Sequence, residues 1–270
     1  MVEVKSMNKQ STKERAKSLT NLSLVTGASH GIGRAIAIGL GRAGYKVMLT
    51  ARSQDELEET AKRVEANEGS AFVVSGDLSS ARGRAELVGY VKKHGGKLKT
   101  LIHCASASTN PETDATLENT ETETIDQIVG TTISGTMHLL KEMKPFLSAA
   151  SPANVVLIAS DWAMRGSHGP PVFSAAKAAI GHLAHTIRRE FAHAGISITT
   201  LYPGDVASFD KDWTEPVWQI DDPIEKVRAE LGESRILLSD IVEAVLFAIT
   251  RKMSRVEEIH MSPLDPEYDY

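Results

Sequence analysis

From Asn21 onward, short apolar runs alternate along the chain with longer stretches whose apolar residues recur at helical spacing. The runs predict strands at Leu22–Thr26, Lys46–Thr50, Ala71–Ser75, Thr100–Cys104, Asn154–Ser160, Ser197–Tyr202 and Glu257–Met261. Several, such as Val155-Val156-Leu157-Ile158, are apolar at consecutive rather than alternate positions, as parallel strands covered on both faces require. The intervening stretches predict helices at Ile32–Ala43, Gln54–Asn67, Arg82–His94, Thr122–Leu147, Ser174–Ala194 and Ser239–Lys252. Strand and helix in turn define an α/β fold, a Rossmann-type doubly wound parallel sheet of about seven strands flanked by helices. One domain over residues 21–270 accounts for the whole pattern, and residues 1–20 read as a flexible polar arm.

Two segments interrupt the rhythm. Residues 106–121 are polar, carry Pro111, and predict a surface loop. Residues 207–233 carry Phe209, Trp213 and Trp218 among many charges. This second segment follows a strand's carboxyl end, where open α/β sheets bind ligands, so it reads as a substrate lid or as an aromatic-anchored connection.

Composition narrows the class. A charged fraction of 24% and a hydrophobic fraction of 41% match ordinary globular proteins. A net charge of −5 with both signs interspersed gives no footprint for nucleic acid. No apolar run reaches the ~18 residues of a membrane span, and the polar, basic start lacks the apolar core of a secretory signal. The lone Cys104 suits a reducing compartment, so a cytoplasmic enzyme with a small-molecule substrate is expected. No metal site is expected.

The densest chemistry lies at Thr26-Gly27-Ala28-Ser29-His30-Gly31-Ile32-Gly33, between the first strand and the first helix. Glycines there permit a tight turn and close approach to a pyrophosphate, while helix N–H groups face the anion. The second strand ends at Ala51-Arg52, with no acid for a ribose 2′-hydroxyl. Arginine instead offers a planar fork for a 2′-phosphate, so the expected cofactor is NADP.

The G-x-x-x-G-x-G spacing of this loop resembles that of the short-chain dehydrogenase/reductase family, and the resemblance runs from about Asn21 to the chain's end. It implies a cofactor cradle of Gly27, Ser29, His30, Ile32 and Gly33, with His30 where NADP-preferring members often carry a basic residue. Asp77-Leu78 resembles the family's adenine-contacting pair. His103-Cys104-Ala105-Ser106 stands where members usually read Asn-Asn-Ala-Gly; Ala105 still admits the ribose, but the bracing asparagines are gone. Pro203-Gly204-Asp205-Val206 resembles the segment beside the nicotinamide, bringing in Gly204 and Val206. The family also implies a homodimer or homotetramer.

The catalytic set is altered. Ile158-Ala159-Ser160 resembles the segment whose serine bonds the substrate carbonyl, and Lys177 keeps the place of the lysine that serves both tyrosine and ribose. The tyrosine position holds Phe173, and Thr132 stands where an asparagine completes the proton relay. A positioned acid contributes about 10²–10⁴ in rate, and a phenyl ring donates no proton. Asp161 is the first choice for a replacement, in a region where some pteridine reductases of the family place a working aspartate. His168 and Tyr202 are the other two; the ordinary readings are a turn cap for Asp161, a solvent-exposed side chain for His168 and packing for Tyr202. The expected function is NADPH-dependent reduction of a small carbonyl or imine by an altered catalytic set. The alternatives are a non-redox catalyst on the same scaffold (cyclisation, elimination or isomerisation) and a non-catalytic NADPH-binding protein.

Overall fold

A computed structural model describes residues 22–107, 116–165, 170–208, 221, 235–251 and 254–265. The expected arm, His168, and the lid's Phe209, Trp213 and Trp218 lie outside the described residues.

Seven strands form one parallel sheet: β1 Leu22–Thr26, β2 Lys46–Thr50, β3 Ser70–Val73, β4 Thr100–His103, β5 Ala153–Ile158, β6 Ile196–Pro203 and β7 Glu258–Met261. Their spatial order is β3-β2-β1-β4-β5-β6-β7. The chain therefore winds outward both ways from β1 and β4, whose carboxyl ends bound the crevice where such sheets take ligands. Helices α1 Gly31–Arg42, α2 Gln54–Ala66, α3 Ala81–Lys93, α4 Thr122–Ile128, α5 Gly135–Ala149, α6 Pro171–His193 and α7 Leu238–Ile249 cover the two faces.

Side-chain alternation along each strand sorts the core into two layers. Val25 of β1 packs with Ile36 and Leu40 of α1, Leu57 of α2 and Ile241 of α7. Leu22 and Leu24 point the other way, toward Leu87 of α3, Leu139 of α5 and Ile180 of α6. Each such side chain, fully buried, contributes about 1.5–3 kcal/mol of transfer free energy. The central strands are buried at nearly every position, as their unbroken apolar runs require, whereas β3 and β7 are only partly buried at the sheet's edges.

The expected helix Thr122–Leu147 is not continuous. Val129–Ser134 forms a π-helical turn between α4 and α5. Its sequence, Gly130-Thr131-Thr132-Ile133, joins a glycine to three β-branched residues, all weak helix formers. The widened turn carries Thr132 into the interior, where it is buried. Such turns recur beside functional sites. Elsewhere, β1 and β2 match expectation and the ends of the other elements differ from it by at most three residues. Strand β5 stops at Ile158, because Ser160 leaves the ladder to cap a 3₁₀ turn at Asp161–Ala163, its Oγ accepting from Trp162 N at 3.3 Å. No helix among the described residues is long and apolar enough to cross a membrane.

Candidate active site

The glycine loop is shaped to receive a flat, charged ligand. Gly27 sits at φ +65, and a Cβ there would lie 2.8 Å from Ala105 N; one on Gly33 would lie 2.1 Å from Gly27 O. Both positions therefore exclude any side chain. The loop is tied down from behind. Ala28 N donates to Thr50 O (3.2 Å), Thr60 Oγ1 donates to Ala28 O (2.9 Å), and the Arg34 guanidinium bonds both Thr60 Oγ1 (3.0 Å) and Ser29 O. Helix α1 begins with no acid in its first turn and no side-chain cap from His30. Its leading N–H groups thus point to the crevice with the positive end of the helix dipole, a setting that fits a pyrophosphate.

At one end the crevice is a cavity of about 200 Å³ lined by Ser29, His30, Ala51, Arg52, Asp77, Leu78 and Ala105. Of these, Ser29, His30, Arg52, Asp77, Leu78 and Ala105 were expected from the sequence to contact the cofactor, and the fold brings them together. Arg52 is exposed at the rim. Burial lowers the pKa of His30 below its usual 6.5, with Arg34 and Arg52 pushing the same way against Glu56, so its imidazole is neutral at pH 7. His30 is therefore not a fixed cation, whereas Arg52 brings a guanidinium to this cavity's lining. Asp77 is drawn into its own turn, accepting from Ser79 N (2.9 Å) and Ser79 Oγ (2.7 Å). Glu56 also lines this cavity and was missed in the sequence. The signal was there: Ser53 caps α2 by accepting from Glu56 N at 3.4 Å, which fixes the acid three residues on.

The sequence offered no substitute for the bracing asparagines, but the fold supplies one in His103. Its Nδ1 lies 2.8 Å from Thr26 Oγ1 and its Nε2 lies 2.7 Å from Thr136 Oγ1. Thr136 Oγ1 donates onward to Thr132 O (2.5 Å), and Thr26 Oγ1 accepts from Ala105 N (3.1 Å). Only one proton arrangement satisfies every link: Thr26 donates to Nδ1, and Nε2–H donates to Thr136. Burial, reinforced by Lys177, drives the His103 pKa to about 3, consistent with that neutral ring. Thr132 Oγ1 in turn accepts from Ala107 N (3.3 Å) and lies 3.1 Å from Ser106 Oγ. A histidine wire thus joins the end of β1 to the π turn.

Beyond Ala107 the crevice widens into a cavity of about 450 Å³. Ser160, Asp161, Trp162, Phe173, Lys177 and Asp205 all line it, with Ile32, Gly33, Gly204 and Val206 toward the glycine loop. Lys177 is buried, and its Nζ donates to Ile158 O at 3.0 Å while standing 5.3 Å from the centre of the Phe173 ring. Burial pulls its pKa down to about 8. Phe173 meets Trp162 edge-to-face at 5.9 Å, making one apolar wall. Ser160 Oγ donates to Asp161 Oδ1 at 3.2 Å, and the other carboxylate oxygen lies 4.0 Å from Arg165.

One of the sequence's alternatives falls away here. Tyr202 turns from the cavity: its ring stacks on His260 at 4.6 Å, and its hydroxyl would lie 2.4 Å from a Cβ on Gly181 of α6. Strand alternation puts it under that helix, where it packs. Cys104 lines the crevice, yet burial pushes its thiol up to about 12, so it behaves as a small apolar group rather than a nucleophile. Asp205, which the sequence reading passed over as a variable position in the Pro-Gly segment, is the carboxyl it missed.

A doubly wound sheet with a glycine cradle and a serine–lysine cavity at its switch point defines a nucleotide-dependent oxidoreductase class. The profile of the short chain dehydrogenase family matches residues 21–215, and the chain belongs to that family. It is an oxidoreductase by class. An uncharacterized oxidoreductase of Staphylococcus epidermidis is 28% identical over 252 residues, covering 92% of this chain and 100% of the relative. Among solved structures, an alcohol dehydrogenase from the archaeon Thermococcus sibiricus, complexed with 5-hydroxy-NADP, is 26% identical with a TM-score of 0.76. That comparison covers 92% of this chain and 99% of the other. Actinorhodin polyketide ketoreductase with NADPH shares the fold, at 22% identity and a TM-score of 0.75 over 90% of this chain and 96% of its own.

Proposed function

We propose that this protein is an NADPH-dependent reductase of a small carbonyl or imine compound. One observation carries the reading: the glycine-walled cleft runs into a cavity that keeps Ser160 and Lys177 together but is walled by a phenyl ring. The archaeal relative with a bound NADP derivative supports the cofactor class. Gly27, Ser29, Ile32 and Gly33 would hold the pyrophosphate, Arg52 the 2′-phosphate, Leu78 and Ala105 the adenosine and ribose side, and Gly204 and Val206 the nicotinamide end. Bound there, the dinucleotide supplies a hydride. Lys177 would hold positive charge in the cavity, Ser160 would orient the heteroatom, and the Trp162–Phe173 wall would exclude water. A protonated imine suits such a site, because its carbon is electrophilic before any further proton arrives.

Cofactor choice is tested at the rim. Arg52→Ala weakens NADPH binding by about 1.5–3 kcal/mol, the value of hydrogen bonds to a charged group, and leaves NADH nearly unchanged. Titration calorimetry with both nucleotides reads the difference. Equal losses for the two, or a wild type that favours NADH, overturn the NADP assignment. Saturating NADPH also raises the melting temperature as its binding free energy requires, and no shift would overturn the cofactor site itself.

A further inference from the structure

The active cavity holds a second carboxyl that the reductase reading leaves without a task. Asp205 follows β6 and is fixed by its backbone: Ile236 N donates to Asp205 O at 2.7 Å, and Gly204 N to Met261 O at 2.8 Å. Val206 pairs with Ile236 in a parallel bridge, and Ala207 N donates to Ile236 O at 2.8 Å. A residue so clamped holds a constant place relative to Ser160, Phe173 and Lys177, whose cavity it lines. We propose that the carboxyl of Asp205 is the proton donor this active site uses in place of the phenol missing at Phe173, an assignment that rests on the reductase reading.

The other carboxyl is occupied differently. Asp161 accepts from Ser160 Oγ and stands beside the Arg165 guanidinium, which makes it an acceptor with a cation at its back. Asp205 is turned toward the protonated form. Burial raises its pKa most, and the nearby charge of Asp161 raises it further, with Arg235 pulling it down. Lys177 from α6 and His30 from the glycine loop share the cavity, and His30 is neutral at pH 7. The two carboxyls are thus set apart by their surroundings, Asp161 engaged by Ser160 and Arg165 and Asp205 turned toward the acid form.

The step balances with a reduced nicotinamide dinucleotide as the reductant. A hydride forms the new C–H bond at the substrate carbon, and the electron pair of the C=O or C=N bond moves to the heteroatom. The O–H bond of Asp205 breaks, its proton forms the new bond to that heteroatom, and the dinucleotide is left oxidised. The carboxylate regains its proton from water. The working form is the protonated one, so the rate rises as pH falls toward the carboxyl's own pKa.

Two measurements on the whole protein test this. Carboxyl-labelled aspartate followed by carbon NMR should show one resonance titrating above the usual aspartate range, absent in Asp205→Asn and shifted to lower pH in Asp161→Asn. NADPH oxidation with diacetyl as probe should fall about 10²–10⁴-fold in Asp205→Asn while NADPH affinity stays within twofold, and oxidation with pyrroline, whose protonated form needs no donor, should change little. In wild type the alkaline limb of kcat/KM should lie in the carboxyl range, and Asp161→Asn should move it to lower pH. A resonance at the ordinary aspartate position overturns the assignment. So does a limb near 8 that survives in Asp205→Asn, which would give the proton to Lys177 instead. If wild type reduces diacetyl and Asp205→Asn does so equally, the assignment falls while the reductase reading stands. If NADPH binds and neither probe is reduced by wild type, the reductase reading falls and the assignment with it.

Discussion

Phe173→Tyr should raise the rate of diacetyl reduction, with an upper scale of about 10²–10⁴ set by general acid catalysis. The ring already stands one helical turn before Lys177, with the ammonium 5.3 Å from its centre, in the same cavity as Ser160. A phenol placed there meets a buried cation that favours its ionised form, which is how a tyrosine is brought toward the working pH. The gain is limited by Thr132, which bonds Ala107 N and Ser106 Oγ across the π turn. Phe173→Tyr with Thr132→Asn should exceed the product of the single effects if relay and phenol act as one unit. The new phenol should also restore diacetyl reduction to Asp205→Asn, since it supplies the proton from a second direction. Pyrroline should gain little or lose rate, because its protonated form needs no donor and the hydroxyl intrudes on an apolar wall. The kcat and KM measured for both probes in these variants decide the matter. If Phe173→Tyr binds NADPH but reduces neither probe better, the cavity is built for chemistry other than carbonyl reduction.

What could be read without coordinates followed from local rules. Seven apolar runs became seven strands because a parallel strand buried on both faces must be apolar throughout, and the glycine cradle was legible because Gly27 and Gly33 tolerate no Cβ. Ser160, Lys177 and Phe173 came together because they lie on adjoining elements at the carboxyl edge, as their spacing implied. The illegible parts depended on partners far apart in the chain. His103 contacts Thr26 and Thr136, separated by 77 and 33 residues, so its bracing role had no local signature. The π turn was hidden because its apolar spacing does not differ from that of a helix. Asp205 had no local signature, since its place in the cavity with Ser160 depends on the bridge between Val206 and the distant Ile236. Tyr202 misled for the opposite reason: proximity to Pro203 said nothing of which face its ring would take.

His103→Phe should destabilise the protein by about 2–4 kcal/mol near pH 8, since it strands the buried Thr26 hydroxyl proton and removes the donor to Thr136. The size of that loss should change with pH in a way that no packing defect imitates. The folded ring has its pKa lowered from 6.5 to about 3, so below 6.5 the unfolded chain takes up a proton that the folded one refuses. Stability from His103 is therefore whole above 6.5, declines as pH falls through the window, and is lost in full only near 3. At about 1.4 kcal/mol per pKa unit, the decline reaches up to about 5 kcal/mol. Phenylalanine has nothing to protonate, so the variant escapes this part of acid destabilisation. Urea midpoints for the two proteins should converge on acidification and cross near pH 4, with matching slopes showing that both unfold the same surface. A constant gap between them at every pH would mean that His103 titrates alike in both states, and the single-tautomer wire from Thr26 to Thr132 would then be wrong.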